Sequence, residues 1–132
     1  NQLKEKSYSA SYFLRTYDKM PDYEQLALSL CNGSILDIGA GAGAHTSYLI
    51  SKKHDVTSLE SDTGFAEILR QVKNSKVIQE DFFNYSTEEK FQTILLLMNG
   101  LGIAQSAARL PIMFDKLKRL LDVSYTHMTL LM

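Results

Sequence analysis

The sequence contains a single cysteine, Cys31, among 132 residues, and no tryptophan. A lone thiol cannot close an intramolecular disulfide, and no Cys/His cluster has metal-ligand spacing, so a disulfide scaffold and a metal site are both excluded. There is no excess of either charge: fourteen Lys and Arg stand against fifteen Asp and Glu, a net charge of −1. No global field therefore attracts nucleic acid or an anionic membrane, although a specific local site is still able to bind either. Long apolar runs are missing too. The longest, 94–98, is far too short to cross a bilayer, and the N-terminal NQLKEKSYSA lacks the apolar core of a signal peptide. A cytoplasmic protein without a membrane partner is expected.

What is present is a 45% hydrophobic content, enough for one core, in a chain too short for two ordinary domains. No repeat or low-complexity tract interrupts it. Short apolar runs alternate with amphipathic stretches, the pattern of an α/β domain. After an irregular lead-in (SYFLRTYDKM), Pro21 precedes a helix in which Tyr23, Leu26, Ala27, Leu30 and Cys31 recur at helical spacing. A left-handed cap at Asn32-Gly33 is expected to end it. Strands are predicted at 34–38, 55–60, 76–79 and 92–98. Helices are predicted at 44–52 after the first strand, at 63–73 after the second, and from about Leu110 after the fourth. The expected result is an open, mainly parallel Rossmann-like sheet of order 3-2-1-4 flanked by helices, with ligands at the carboxyl ends of the strands.

The chemistry centres on ILDIGAGAG (35–43). Gly39, Gly41 and Ala44 satisfy the dinucleotide pattern G-x-G-x-x-G/A, and Glu60 lies at a suitable distance to hold a ribose. A nicotinamide or flavin site is therefore one reading. Asp37 argues for another: a carboxylate at the end of the preceding strand repels a diphosphate but favours a cationic ligand such as S-adenosylmethionine. Asp37 also has a purely structural reading, as an acceptor for the turn's own amides.

ILDIGAGAG resembles the first motif of class I S-adenosylmethionine-dependent methyltransferases. SLES (58–61) and QEDFF (79–83) resemble the acidic residues that follow the family's second and third strands, and LLLMNGLG resembles its fourth strand with a polar end. The resemblance runs from about Cys31 to Leu121. It implies an S-adenosylmethionine site in which Asp37, Gly39, Ala40, Gly41 and Gly43 form the glycine cradle and Glu60 with Ser61 meets the ribose. Asp81 and Phe82 would meet the adenine. Asn99 would contact the methionine end or orient a substrate. Asp81 as an N-cap and Asn99 as a turn residue remain open readings.

Methyl transfer from a sulfonium depends on positioning more than on a base, so no catalytic residue is assigned, and His45 is not taken as one. MNGLG differs from the Asn/Asp-Pro-Pro-Tyr signature of amino-group methylation of nucleic-acid bases. A small-molecule methyl acceptor is accordingly expected, and nucleic acid is not. Tyr12, Arg15, Tyr17 and Asp18 are candidates for a lid. The chain is expected to be one partial domain: residues 1–33 a lead-in and helix, 34–121 the cofactor-binding core, and 122–132 a tail, either foreign or a single added strand. C-terminal strands would then be missing, leaving an apolar edge on the fourth strand open to self-association. A non-catalytic binding module on the same scaffold is the remaining alternative.

Overall fold

A computed structural model describes residues 14–97, 101–124 and 129–131. Five strands form one sheet: β1 (Ser34–Ile38), β2 (Asp55–Leu59), β3 (Lys76–Ile78), β4 (Thr93–Leu95) and β5 (Thr129–Leu131). Their order is β3-β2-β1-β4-β5, and every pairing is parallel. The central strand β1 aligns Asp37 with Ser58 of β2 on one side and with Leu95 of β4 on the other. Parallel neighbours require crossovers, which here carry α2 (Ala44–Ser51), α3 (Thr63–Arg70) and α4 (Leu110–Leu120) around the sheet, while α1 (Asp22–Ser29) precedes β1.

Strand side chains alternate between two cores. Leu36, Ile38, Ile94 and Leu96 pack with Met113 and Leu117 of α4 on one side. Ile35 and Leu95 pack with Leu28 of α1 and Leu49 of α2 on the other. Both faces of β1 and β4 are covered, which explains why these strands read as continuous apolar runs. Each fully buried aliphatic side chain contributes about 1.5–3 kcal/mol.

The predicted order is observed, with one addition. Residues 129–131 add β5 beside β4, where Leu96 N–H donates to the Leu131 carbonyl at 2.8 Å and Thr129 N–H to the Gln92 carbonyl at 2.9 Å. The β4 edge expected to lie open is therefore paired, and β5 forms the border. Two local expectations also change. Gly33 is left-handed (φ 65°), but α1 ends at Ser29, so this glycine turns the chain into β1 rather than capping the helix. Of the five residues at helical spacing, Ala27 and Cys31 are buried, but Tyr23, Leu26 and Leu30 are 64%, 60% and 50% exposed, while Glu24 and Leu28 turn inward. Glu24 is drawn inward by an ion pair with Arg15 and a 2.8 Å contact with His45 Nε2, and that polar demand sets the helix face.

Gly43, at the start of α2, has φ 99°, and a Cβ there would lie 2.7 Å from Leu69 Cδ2. Leu69 is fully buried, so its methyl has little room to yield. Gly43→Ala should cost about 2–4 kcal/mol, combining the left-handed penalty with overpacking. A urea unfolding midpoint equal to wild type would refute this.

Candidate functional site

Because the strands are parallel, the turns following β1, β2 and β3 meet at one edge of the sheet. The glycine turn after β1 is held by Leu59, whose carbonyl accepts from Gly39 N–H (2.8 Å) and Ala40 N–H (3.2 Å). Gly39 and Gly41 have φ of 68° and 60°, the left-handed region that side chains disfavour. Glu60, just beyond β2, joins two loops: its Oε1 accepts from Gly41 N–H at 2.7 Å and its Oε2 from Asp62 N–H at 2.9 Å. Each carboxylate oxygen retains a further acceptor position. Asp62 in turn caps α3, accepting from Phe65 N–H at 2.9 Å.

Asp37 is 1% exposed. Its Oδ2 accepts from the Thr46 hydroxyl at 2.8 Å, and that hydroxyl lies 2.7 Å from Ser58 Oγ. Its Oδ1 is buried without a hydrogen-bond partner among the described residues. Burial raises the Asp37 pKa, with nearby Glu60 adding to the rise, against lowering by His45 and Thr46. The structural role considered for Asp37 thus takes the form of a side-chain chain, Asp37-Thr46-Ser58, joining β1, α2 and β2.

A cavity of about 180 Å³ opens at this edge. Of the predicted residues, Gly39, Glu60, Ser61, Asp81 and Phe82 line it. Asp37, Ala40, Gly41 and Gly43 do not line it: Asp37 and Ala40 are buried, Gly41 is engaged by Glu60, and Gly43 lines a separate cavity of about 490 Å³ with Tyr17 and Tyr48. Asn99, Gly100 and Tyr12 fall outside the described residues. Asp81 combines the two positions left open for it: it faces the cavity and caps the turn Phe82–Asn84, accepting from Phe83 N–H at 2.8 Å. Phe82 is buried and lines the cavity, while Phe83 packs edge-on against it at 5.2 Å.

Sequence reasoning missed Glu80, Ile103 and Gln105, which also line the cavity. Glu80 is adjacent to Asp81 and was open to the same reasoning. Ile103 and Gln105 lie on an irregular connection after β4 without a motif, and Gln105 carries a left-handed backbone (φ 71°) visible only in the fold. His45, not taken as a catalytic residue, is buried at 1%, where it pairs with Glu24. Burial acts to raise the Glu24 pKa, but His45 and Arg15 outweigh it and hold the carboxyl below its ordinary range. Tyr17 of the lead-in stacks on Tyr48 of α2 at 4.3 Å, so the described part of the lead-in is packed beside the glycine turn. Cys31 is an inert thiol, its pKa pushed up to about 12 by burial and then by the charge of Asp37.

This edge has the architecture of the class I S-adenosylmethionine-dependent methyltransferases. Residues 17–119 match the family described as ribosomal RNA adenine dimethylase, and the chain belongs to that family. It is 32% identical over 95 residues to an rRNA adenine N-6-methyltransferase of Bacteroides fragilis, covering 69% of this chain and 35% of the relative. Over 57 residues it is 40% identical to a probable ribosomal RNA small subunit methyltransferase A of Halobacterium salinarum, covering 43% of this chain and 19% of that protein. Among solved structures, an S-adenosylmethionine-dependent methyltransferase from Bacteroides fragilis, bound to S-adenosyl-L-homocysteine, superimposes with a TM-score of 0.75 at 34% identity. That match covers 86% of this chain and 47% of the other. An amino pentose methyltransferase from Micromonospora echinaspora, 15% identical with a TM-score of 0.66 over 80% of this chain and 49% of its own, shares the fold. The chain spans about a third of the length of the curated Bacteroides relative and about half that of the solved one.

The family match replaces the nicotinamide alternative and corrects the expected partner. A small-molecule acceptor with no nucleic acid was inferred from MNGLG and from the balanced charge; membership of a ribosomal RNA family overturns that inference. A missing proline-tyrosine signature reports the shape of one loop, and a whole-chain charge sum does not register local fields. Among the described residues no helix is long and apolar enough to cross a membrane.

The raised Asp37 pKa has a consequence for stability. A carboxyl whose pKa is higher folded than unfolded leaves the native state holding more protons, so stability falls as pH rises above the ordinary carboxylate value toward the folded pKa. Asp37→Asn removes that slope and should stabilise the protein at pH 8 by on the order of 1 kcal/mol. Chemical unfolding at pH 5 and pH 8 measures both proteins; the same pH dependence in each would contradict the assignment.

Proposed function

We propose that this chain supplies the cofactor-binding part of an S-adenosylmethionine-dependent methyltransferase acting on adenine in ribosomal RNA. The observation that carries the reading is the family match across residues 17–119, which include the glycine turn, Glu60 and Asp81. The site's chemistry supports it. Glu60, Glu80 and Asp81 line the cavity, an arrangement hostile to a diphosphate and suited to hydroxyl and amine donors. Asp37 Oδ1, buried and unpartnered behind the glycine turn, contributes negative charge suited to a sulfonium ligand.

S-adenosylmethionine supplies an activated methyl group on a positively charged sulfur. The remaining work falls to the chain. Glu60 would accept from the ribose hydroxyls with its free lone pairs while its amide bonds hold the glycine turn in place. Asp81 would accept from the adenine amine, with Phe82 as an apolar wall. Asp37 would act through charge, since Thr46 already fixes one of its oxygens. Asn99, which follows the predicted fourth strand in sequence and lies outside the described residues, would orient an exocyclic amine of the acceptor base for in-line attack, and positioning of this kind is the larger part of such catalysis. A cytoplasmic location accords with a ribosomal RNA acceptor.

Glu60→Ala should weaken S-adenosyl-L-homocysteine binding by about 10- to 100-fold, the equivalent of losing a charged hydrogen-bonding partner, and Asp37→Asn should weaken S-adenosylmethionine, which carries the sulfonium, more than S-adenosyl-L-homocysteine, which does not. Isothermal titration reads this directly. Unchanged affinity in both variants, or tight NADH binding without any response to S-adenosyl-L-homocysteine, would overturn the reading. Incorporation of labelled methyl into an unmethylated ribosomal RNA fragment, lost in the same variants, tests the acceptor.

A further inference from the structure

A second hollow, of about 340 Å³, lies on the other side of the Phe82-Phe83 pair from the acidic cavity. Lys90, Lys116 and Arg119 line it, together with the side chains of Asn84, Ser86 and Thr87. These cations are incompletely neutralised. Arg119 has Asp115 at 3.4 Å, an exposed pair one helical turn away, and exposed pairs of this kind are weak. Lys90 Nζ donates to the Arg119 carbonyl at the end of α4, which brings its ammonium to the cluster, and exposed Asp122 is the carboxylate its charge reaches. Lys116 lies over the Phe82 ring at 5.3 Å; burial first, and then the charge of Arg119, lower its pKa, against the pull of Asp81 and Glu80.

Tyr85 also borders the hollow, with its hydroxyl shut off from solvent in the core. Glu89 lies close enough to act on Tyr85, but its side chain does not line the hollow.

We infer that this hollow binds a backbone phosphate of the RNA acceptor. The inference rests on the proposed RNA-directed function and deepens it. A tetrahedral oxyanion suits the ammonium and guanidinium charges gathered there, with Asn84, Ser86 and Thr87 as polar neighbours. The placement is apt as well. An RNA strand approaching the cofactor edge meets Glu60, Glu80 and Asp81, which repel its phosphates, and the net charge of −1 provides no diffuse attraction. A cationic seat across the phenylalanine pair gives the strand a local hold and directs its backbone away from the acids. Lys116 stands between the two cavities and holds the boundary.

The experiment compares wild type with a Lys90→Gln/Arg119→Gln double variant and a charge-preserving Lys90→Arg/Arg119→Lys variant. Binding of a short single-stranded, adenine-containing RNA is titrated by fluorescence anisotropy at several salt concentrations, with inorganic phosphate and S-adenosyl-L-homocysteine titrated separately. The expected result is an RNA affinity reduced roughly tenfold in the glutamine variant, with a salt dependence flatter by about one phosphate contact. The charge-preserving variant should stay within about twofold of wild type, and S-adenosyl-L-homocysteine affinity should be the same in all three. Equal RNA affinity and salt slope in wild type and the glutamine variant would overturn the inference. So would inorganic phosphate bound tightly and not displaced by RNA, which would make the hollow a site for the free ion. Wild type that fails to bind S-adenosyl-L-homocysteine would count against the cofactor reading instead, and the RNA comparison would still be legible.

Discussion

Parallel pairing on both sides of β1 is the constraint from which the rest follows. A parallel ladder cannot be closed by a tight turn, so each strand returns through a crossover and every strand points the same way. The segments that leave β1, β2 and β3 are therefore brought to one edge whatever their sequences. Gly39 and Gly41 allow the first to fold back against the Leu59 carbonyl, and Glu60 then ties that turn to the start of α3 through two amides. Two turns distant in sequence are thereby joined into one rim beside the third. A site that acts by holding its ligands in line depends on such ties.

Asp37 is the costly component of this arrangement. It occupies a core position between Leu36 and Ile38, where an aliphatic residue would pack without desolvating a charge. Thr46 and Ser58 compensate one oxygen and leave the other unpartnered. Stability alone does not account for a carboxyl in that position. In the proposed function a ligand carrying positive charge on the far side of the turn would, because the same low-dielectric surroundings that penalise the unpaired carboxylate strengthen its attraction for a cation. The nearby Arg15-Glu24-His45 cluster follows a different logic: its charges are compensated within the cluster, and its effect is to set which face of α1 turns inward.

What could be read from the sequence was local and periodic. The strand order followed from apolar runs separated by amphipathic stretches, and Gly39, Glu60 and Asp81 followed from their positions relative to strand ends. Each depends on residues near one another in the chain. The inward face of α1 was not legible, because Leu26 and Leu30 have helical spacing and only the burial of Glu24, by partners 9 and 21 residues away, turns them outward. Ile103 and Gln105 reach the cavity from a connection whose path the fold alone defines. The fifth strand was obscured by a tail without Gly or Pro punctuation, although its register against Thr93, Ile94 and Leu95 is regular. The acceptor was misread because one absent loop signature was allowed to outweigh an open question about local charge.

That local charge is unevenly divided. Carboxylates of Glu60, Glu80 and Asp81 collect on one side of the Phe82-Phe83 pair, and Lys90, Lys116 and Arg119 collect on the other. Summed over the chain, such fields nearly cancel, which is why a net charge of −1 neither favours nor excludes nucleic acid. At separations shorter than a Debye length of about 8 Å they do not cancel at all. In the proposed function a nucleoside cofactor would meet the acidic side with its hydroxyls and amine, where a phosphodiester would be repelled. An RNA acceptor would then reach the cofactor edge with its backbone turned toward the basic side, across the two aromatic rings.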